Sequence, residues 1–240
     1  MTMTEQQRRQ YLHAMGIPIW QQQESNTIPS LPGNEVGVTN ARHELAATET
    51  EMPDNLWHDL EQRVTHCEAC VLHQHRTQSV LGVGNRQADW MVIGEAPGAD
   101  EDRQGEPFVG RAGKLLNAML YAAGFERPDV YISNIVKCRP PQNRDPRPEE
   151  AERCSEYLHK QIAWVQPRLI LSVGRISAQS LLQSSEPVGH LRGKVHYWGT
   201  SNIPLVVTYH PAYLLRSPLE KKKAWDDLKL ALSVCGPTSH

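Results

Sequence analysis

Cysteines are the residues of this chain whose type and spacing point most directly to chemistry. Cys67 and Cys70 form a C-x2-C pair, while Cys138, Cys154 and Cys235 lie far downstream. Two thiolates on one short loop can bind a metal ion or an iron–sulfur cluster without strain. The spacing alone leaves zinc, an iron–sulfur cluster and simple burial open. Disulfides are not expected, because we predict that the chain remains in the cytoplasm.

A stretch rich in glycine and acidic residues follows the apolar segment 90–93. Gly94 lets the backbone approach a ligand closely, and Glu95 places a carboxylate beside it, although a solvated acidic loop would look the same. Phe108, in the same stretch, is one of only 2 phenylalanines in the chain. Its ring predicts either a core residue or a stacking platform for a flat ligand.

Two further stretches, 133–143 and 210–216, also follow apolar segments and carry side chains that could contact a base. Asn134 offers one acceptor and two donors, which suits the amide edge of a base, but a turn asparagine would look the same. His210 precedes a proline, which restrains its backbone without identifying a role. Leu214 and Leu215 lie in a predicted loop, where exposed leucines suit a wedge that enters a base stack.

These stretches all follow predicted strands of one α/β domain. Strands alternate with helices along the sequence, which predicts a parallel sheet covered on both faces. Ligands bind beyond the carboxyl ends of the strands in such sheets, so we expect the stretches to meet there. The predicted strands are 90–93, 130–132, 169–173 and 205–208, and the predicted helices are 112–123, 148–165, 175–183 and 219–234. A further helix from Asp54 is expected to bury Leu56, Trp57, Leu60 and Val64.

Composition and charge exclude several classes of protein. Hydrophobic residues make up 39% and charged residues 22% of the chain, which excludes disordered, collagen-like and coiled-coil classes. No apolar run is long enough to span a bilayer, so no membrane partner is expected. The net charge of −2 divides into an acidic leader and a mildly basic body, which is compatible with nucleic acid. We predict a helical peptide at 1–20, a flexible linker at 21–53 and one domain at 54–236.

Together these motifs closely resemble those of the family 4 uracil-DNA glycosylases, the iron–sulfur branch of the uracil glycosylase superfamily. The matching motifs are CEAC at 67–70, GEAPGADEDRQGEPFVGRAGKLL at 94–116, SNIVKCRPPQN at 133–143, LRGKVH at 191–196 and HPAYLLR at 210–216. The resemblance implies a three-layer α/β/α sandwich around a four-stranded parallel sheet, in agreement with the alternation of strands and helices. It also implies a 4Fe–4S cluster bound by Cys67, Cys70, Cys138 and Cys154. Cys235 matches no ligand position and is expected to be a buried thiol.

The resemblance further implies that the protein hydrolyses the bond between uracil and deoxyribose in DNA, which begins base excision repair. Phe108 would stack on the uracil, and Asn134 would pair with its edge. His210, together with backbone N–H groups between Gly94 and Ala96, would stabilise the negative charge that builds on the leaving base.

Other residues of the matching motifs are expected to assist this reaction. Glu95 would stabilise the cationic sugar or orient water, Asn143 would help to place that water, and Glu101 would support the site. The expected contacts with DNA are made by Leu214, Leu215 and Arg216.

Residues 9–20 resemble, over a short stretch, the N-terminal peptide of the psi subunit of the bacterial clamp loader. The resemblance implies docking on a clamp loader or another replisome component, with local packing or disorder as the alternative. A second function class follows, in which the chain is a replisome-associated interaction protein with reduced or absent glycosylase activity. In both classes we expect a monomer in the cytoplasm, associated with the nucleoid.

Overall fold

The computed structural model of the chain describes residues 54–237. The predicted N-terminal peptide 1–20 and the predicted linker 21–53 lie outside the described residues. Within the described range, no helix is long and apolar enough to cross a membrane.

A mixed sheet of six strands forms the centre of the described domain. The strands are Val83–Gly84 (β1), Trp90–Gly94 (β2), Tyr131–Asn134 (β3), Leu169–Val173 (β4), Val195–Trp198 (β5) and Ile203–Thr208 (β6). Their order across the sheet is β1-β3-β2-β4-β6-β5, and the four central strands are parallel while β1 and β5 pair antiparallel at the edges. Every residue of β2, β3 and β4 is buried, because helices cover both faces of the sheet.

Helices on the two faces complete a three-layer arrangement. The α-helices of the described range are Asp54–Thr65 (α1), Ala99–Gln104 (α2), Arg111–Ala122 (α3), Pro148–Val165 (α4), Arg175–Leu182 (α5), Val188–Leu191 (α6), Pro211–Arg216 (α7) and Lys221–Val234 (α8). One core joins α3 and α8 to strand residues such as Val92 and Leu171, and the other joins α1, α4 and α5 to Ile93 and Ile170. Because successive side chains of a strand point to opposite faces, each central strand contributes to both cores.

The predicted α/β class and the parallel arrangement of the sheet are confirmed, with each predicted boundary within two residues of the observed one. The predicted four-stranded sheet corresponds to β3-β2-β4-β6, but the two antiparallel edge strands were not predicted. β1 has only 2 residues, and β5 is only partly buried. Neither edge strand therefore carries the continuous apolar run that identifies the central strands.

The first helix corrects one predicted core residue. α1 buries Trp57, Leu60 and Val64 as predicted, but Leu56 is 37% exposed. The three buried residues follow the three-and-four spacing of one helix face, and Leu56 lies about 100° away from Trp57 around the helix axis. The helix ends at Thr65 and leads directly to the loop that contains Cys67.

Candidate active site

Gly94, Phe108 and Asn134 meet where two parallel strands end. Gly94 and Asn134 are register partners in β2 and β3. A β-carbon on residue 94 would lie 2.4 Å from Asn134 Oδ1 and 2.6 Å from Phe108 Cζ. Contacts this short would be severe clashes, so only glycine lets the amide and the aromatic ring approach each other here. We call these three residues, together with His210, the strand-end cluster.

The side chain of Asn134 is oriented for a ligand. Asn134 is 2% exposed, and its Oδ1 atom has no hydrogen-bond partner among the described residues. A buried acceptor without a partner costs about 1–3 kcal/mol. A ligand N–H that donates to Oδ1 would remove this cost, so the site suits a ligand with a donor on its edge.

Lys137, to which the sequence analysis assigned no role although it lies within the motif at 133–143, holds the backbone of Asn134. Its Nζ donates to the carbonyl oxygen of Asn134 at 2.8 Å, to Ser133 Oγ at 2.6 Å and to Gln161 Oε1 at 2.6 Å. Lys137 is 1% exposed, and burial lowers its pKa to about 8. This buried network fixes the end of β3 on α4 and thereby fixes the position of the Asn134 amide.

His210 lies between the end of β6 and the start of α7. Its ring is stacked on Phe108, with 5.6 Å between the ring centroids and 30° between the ring planes. Burial, and to a smaller extent Arg216, lowers the pKa of His210 to about 4, so the imidazole is neutral near neutral pH. Nδ1 accepts a hydrogen bond from the N–H of Ala212 at 3.1 Å, which leaves the proton on Nε2. His210 is therefore a neutral donor.

Gly174 permits this position of His210, although it belongs to no motif that the sequence pointed to. Gly174 caps α5 with φ +99°, and a β-carbon there would lie 2.9 Å from His210 Cβ. Both the backbone conformation and the close approach require glycine.

Glu95 follows Gly94 and lies beside two charged residues that the sequence did not identify, Asp145 and Arg175. Burial and then the Asp145 carboxylate raise the pKa of Glu95 to about 7, while the Arg175 guanidinium acts in the opposite direction. Arg175 Nη2 donates a hydrogen bond to the Asp145 carboxylate. Near neutral pH, Glu95 is therefore balanced between the acid and the carboxylate.

Glu101 organises the segment that leads to Phe108. Its Oε1 accepts hydrogen bonds from the N–H groups of Val109 at 3.0 Å and Gly110 at 3.2 Å, and its Oε2 accepts one from Gly98 at 3.1 Å. These contacts tie both ends of the segment together. Glu101 is thus placed to position Phe108, and its predicted supporting role in catalysis stays a prediction.

Asn143 and Ala96 lie in the loops that follow β3 and β2. Asn143 is exposed, and its Oδ1 accepts a hydrogen bond from Arg139 Nε at 2.7 Å. Asp145, two positions further on, is close enough for its charge to raise the pKa of Glu95, so Asn143 lies on a loop that approaches the strand ends. Ala96 is half-buried against the core on the α4 side. The predicted roles of both residues stay predictions.

The HPAYLLR motif forms the short helix α7 rather than the predicted loop. Leu214 is 1% exposed and packs in the core with Met119 and Leu228, so the prediction that it contacts DNA is not supported. Leu215 is 38% exposed, because the next position on a helix points in a different direction. Arg216 is exposed beside it. Of the two leucines, only Leu215 has a side chain that projects into solvent, where it could contact DNA.

Four of the cysteines share one hydrophobic core. Cys138 and Cys154 are buried in it, and the half-buried Cys67 and Cys70 pack against it. Burial raises the pKa of Cys70, Cys138 and Cys154, the last to about 11, and neighbouring thiols add to each shift. Thiols in such a place lose their protons only when a cation stabilises the thiolates.

N–H groups point at the sulfur atoms of this thiol group. Arg76 Nη1 donates to Cys138 Sγ at 3.0 Å, and the backbone N–H of Lys137 donates to Cys154 Sγ at 3.3 Å. Arg76 also donates to the carbonyl oxygens of Thr65 and Cys67. Within residues 54–237, no group of three or more His, Cys, Asp or Glu side chains is arranged to hold a metal ion.

Cys235 is separate from this thiol group. It is 3% exposed in the opposite core, and its carbonyl oxygen accepts a hydrogen bond from Trp90 Nε1 at 2.8 Å. The prediction of a buried thiol is confirmed.

Comparison with known proteins places this arrangement in a family. Residues 81–229 match the uracil DNA glycosylase superfamily. A type-4 uracil-DNA glycosylase of Archaeoglobus fulgidus is 42% identical over 185 residues, which are 74% of this chain and 92% of that protein. A type-4 uracil-DNA glycosylase of Thermotoga maritima is 42% identical over 167 residues, 68% of this chain and 85% of that protein. A type-5 uracil-DNA glycosylase of Thermus thermophilus is 31% identical over 152 residues, 55% of this chain and 68% of that protein.

Proposed function

Because the chain belongs to the uracil DNA glycosylase superfamily and, within it, to the type-4 enzymes, we propose that it removes uracil from DNA by hydrolysing the N-glycosidic bond. The observation that carries this proposal is the buried Oδ1 of Asn134, which lies beside the ring of Phe108 and has no hydrogen-bond partner within residues 54–237. An acceptor held next to an aromatic ring suits a flat base with an N–H on its edge. The product would be an abasic site, on which later repair enzymes act.

Asn134 supports the selection of uracil over cytosine. Uracil presents an N3–H donor and an O4 acceptor, which match the oxygen and the NH₂ group of one amide. Cytosine presents the opposite order, so a fixed amide would leave buried polar groups unpaired, and such a mismatch discriminates strongly. Lys137 supports this selection because it holds the backbone from which the amide projects.

His210 supports the departure of uracil as an anion. Negative charge builds on the base as the bond to the sugar breaks, and a donor placed there stabilises it. A neutral imidazole with its proton on Nε2 donates to this charge. Glu95 would stabilise the positive charge on the sugar or orient the attacking water, and Asn143 would help to place that water.

Leu215 supports extrusion of the base from the duplex. Taking a base out of the stack costs a few kcal/mol, and an apolar side chain that fills the gap recovers part of this cost. Leu215 is exposed at the end of α7, with Arg216 beside it and Lys221–Lys223 following in α8. These cations would neutralise phosphates on either side of the extruded base.

Cys67, Cys70, Cys138 and Cys154 would hold a 4Fe–4S cluster. The chemistry of the donor set supports this group, because four thiols pack on one core, with N–H donors from Arg76 and Lys137 directed at sulfur. Among the described residues these side chains do not converge on one metal position, so the support comes from the donor types and not from their arrangement. When bound, the cluster would cross-link the loop at 67–70 to the segments at 138 and 154, which is a structural contribution. The cysteines would lose their protons on binding it.

The test is an excision assay on a labelled oligonucleotide with one deoxyuridine, followed by alkali, with cytosine and thymine strands as controls. Wild type is expected to cleave only the uracil strand. Asn134→Asp removes the NH₂ donor and should abolish excision, while Asn55→Asp on the exposed face of α1 should not. Absence of cleavage by wild-type protein with its full iron content would overturn the proposal.

Docking of residues 9–20 on a clamp loader or another replisome component is a separate proposal, supported by sequence resemblance alone. Removing residues 1–50 should abolish binding to such a partner while excision from free DNA persists. A chain that binds the partner but excises no uracil would favour the interaction protein as the function. Either activity would operate at the nucleoid.

A further inference from the structure

The loop between β3 and α4 passes the end of β2, where Glu95 lies. At the start of this loop, the N–H of Val136 donates to the carbonyl oxygen of Glu95 at 3.2 Å. Near its far end, Asp145 accepts a hydrogen bond from Arg175, the first residue of the helix that follows β4. Because β2 lies between β3 and β4 in the sheet, these two contacts hold the loop across the end of β2. Asn143 lies between the two contacts in the chain.

A tight turn inside this loop determines where the Asn143 side chain projects. The N–H of Asn143 donates to the carbonyl oxygen of Pro140 at 3.1 Å, and the N–H of Arg144 donates to that of Pro141 at 3.2 Å. Gln142 and Asn143 have φ values of +57° and +54°, in the left-handed region, which asparagine adopts more readily than most residues. Backbone of this kind is costly and persists only where the surrounding structure imposes it, which is often at functional sites.

Arg139 is the residue that this turn brings to Asn143. Its Nε atom donates to Asn143 Oδ1 at 2.7 Å. A guanidinium group has donors and no acceptor, so only the oxygen of the amide can face it, and the amide cannot turn over without losing this bond. The end of the amide that points away from Arg139 is therefore its NH₂ group, a donor of two hydrogen bonds.

The turn itself is held by other contacts. Arg144 donates to the carboxylate of Glu150 at 2.6 and 2.8 Å, and Glu150 is 2% exposed at the start of α4. Arg144 also donates to the carbonyl oxygen of Asp145 at 2.9 Å. Because these bonds anchor the backbone on the far side of the turn, the bond from Arg139 is left to fix the orientation of the Asn143 amide.

We propose that Arg139 is a positioning residue for uracil excision, which holds the Asn143 amide so that its NH₂ group binds the attacking water through the water oxygen. This inference rests on the proposed function, because it concerns how Asn143 places that water. A water held by a donor keeps both of its hydrogen atoms for acceptors, and the carboxylate of Glu95 is an acceptor on the segment that this loop contacts. An amide turned the other way would offer its oxygen and take up one of these hydrogen atoms.

A direct contact with a DNA phosphate is the competing role for Arg139. The two roles differ in what they require. A positioning residue needs the Asn143 amide, and its loss slows the reaction of bound DNA. A phosphate contact does not need Asn143, and its loss weakens DNA binding and reduces the dependence of that binding on salt.

The experiment is a double-mutant cycle on the full chain, with Arg139→Met, Asn143→Ala and both together. Single-turnover excision at saturating single-stranded DNA measures the reaction, and a DNA titration measures binding. Arg139→Met keeps the aliphatic stem but removes the donor, so it should slow excision by about 10-fold without weakening binding. In the Asn143→Ala background the same substitution should change the rate by less than about 2-fold, because no amide is left to hold. Arg153→Met, on the exposed face of α4, should match wild type.

The outcomes separate this inference from the proposed function. If wild type excises uracil but Arg139→Met has the same effect in both backgrounds, or acts only by weakening DNA binding, the inference is overturned alone. A wild-type rate in Asn143→Ala also overturns it alone. If wild type excises no uracil, the proposed function is overturned and this inference with it. If Arg139→Met fails to fold by circular dichroism, Arg139→Gln in the same cycle decides.

Discussion

Gly94 and Asn134 face each other across β2 and β3 so closely that a β-carbon on residue 94 would lie 2.4 Å from Asn134 Oδ1. The ring of Phe108 occupies the adjacent space, with Cζ 2.6 Å from the same point. The amide, the ring and the bare backbone are thus one closely packed unit. The proposed selection of a base by the Asn134 amide therefore depends also on the absence of a side chain at residue 94.

Gly94→Ala is expected to lower the rate of uracil excision by about 10²-fold, because the new methyl group displaces the amide and the ring from their positions. Single-turnover excision and the melting temperature would be measured together. Gly189→Ala is the matched control, since nothing lies within 4 Å of a β-carbon there. A Gly94→Ala protein with the wild-type rate would contradict the close packing.

Leu214→Ala and Leu215→Ala should affect different properties, although the residues are adjacent. Leu214 is buried, so its truncation should destabilise the fold by about 2–5 kcal/mol. Leu215→Ala should leave the melting temperature unchanged and slow excision from duplex DNA more than from single strands, because only the duplex must be opened. Equal excision rates of Leu215→Ala and wild type on duplex DNA would remove Leu215 from the mechanism.

Glu95→Gln should change how stability depends on pH. The pKa of Glu95 is raised from 4.5 to about 7 in the folded chain, so the folded state holds this proton more tightly than the unfolded state. The resulting stability is fully present below the unfolded value and is lost as pH rises through about 7.

The glutamine variant cannot titrate, so its melting temperature should rise relative to wild type between about pH 5 and about pH 8. The difference corresponds to a free energy of unfolding on the order of 2 kcal/mol. Thermal melts of both proteins across this range would measure it. A difference that stays constant with pH would show that burial does not perturb Glu95.

Arg76→Met should weaken retention of iron without unfolding the domain. The substitution removes the donor to Cys138 Sγ and the contacts to the carbonyl oxygens of Thr65 and Cys67. Loss of such an orienting contact typically lowers metal affinity by about 10–100-fold. Iron content and visible absorbance during incubation with a chelator would measure the effect. Arg103→Met, on an exposed part of α2, should retain iron as wild type does.

The central strands and the long helices could be predicted because their apolar patterns are continuous and local. Gly94, Phe108, Asn134 and His210 could be identified because they follow strands and belong to motifs that resemble those of a family. The family resemblance likewise predicts that Cys67, Cys70, Cys138 and Cys154 lie close together.

Contacts between distant segments could not be predicted in this way. Lys137 donates a hydrogen bond to Gln161, 24 positions away, and Asp145 accepts one from Arg175, 30 positions away. In the sequence each of these residues looks like an ordinary surface residue, and only the fold gives it a partner. The burial of Leu214 was missed for a related reason, because a short helix formed where a loop was expected.

Lys137 contacts both the thiol group and the end of β3. Its backbone N–H donates to Cys154 Sγ at 3.3 Å, and its ammonium group donates to the carbonyl oxygen of Asn134 at 2.8 Å. The base selectivity proposed for Asn134 therefore cannot be transferred to another scaffold by grafting Ser133 and Asn134 alone. A working graft must carry Lys137, its partner Gln161 and the cysteine segments with them, so these parts of the chain have to be inherited as one unit.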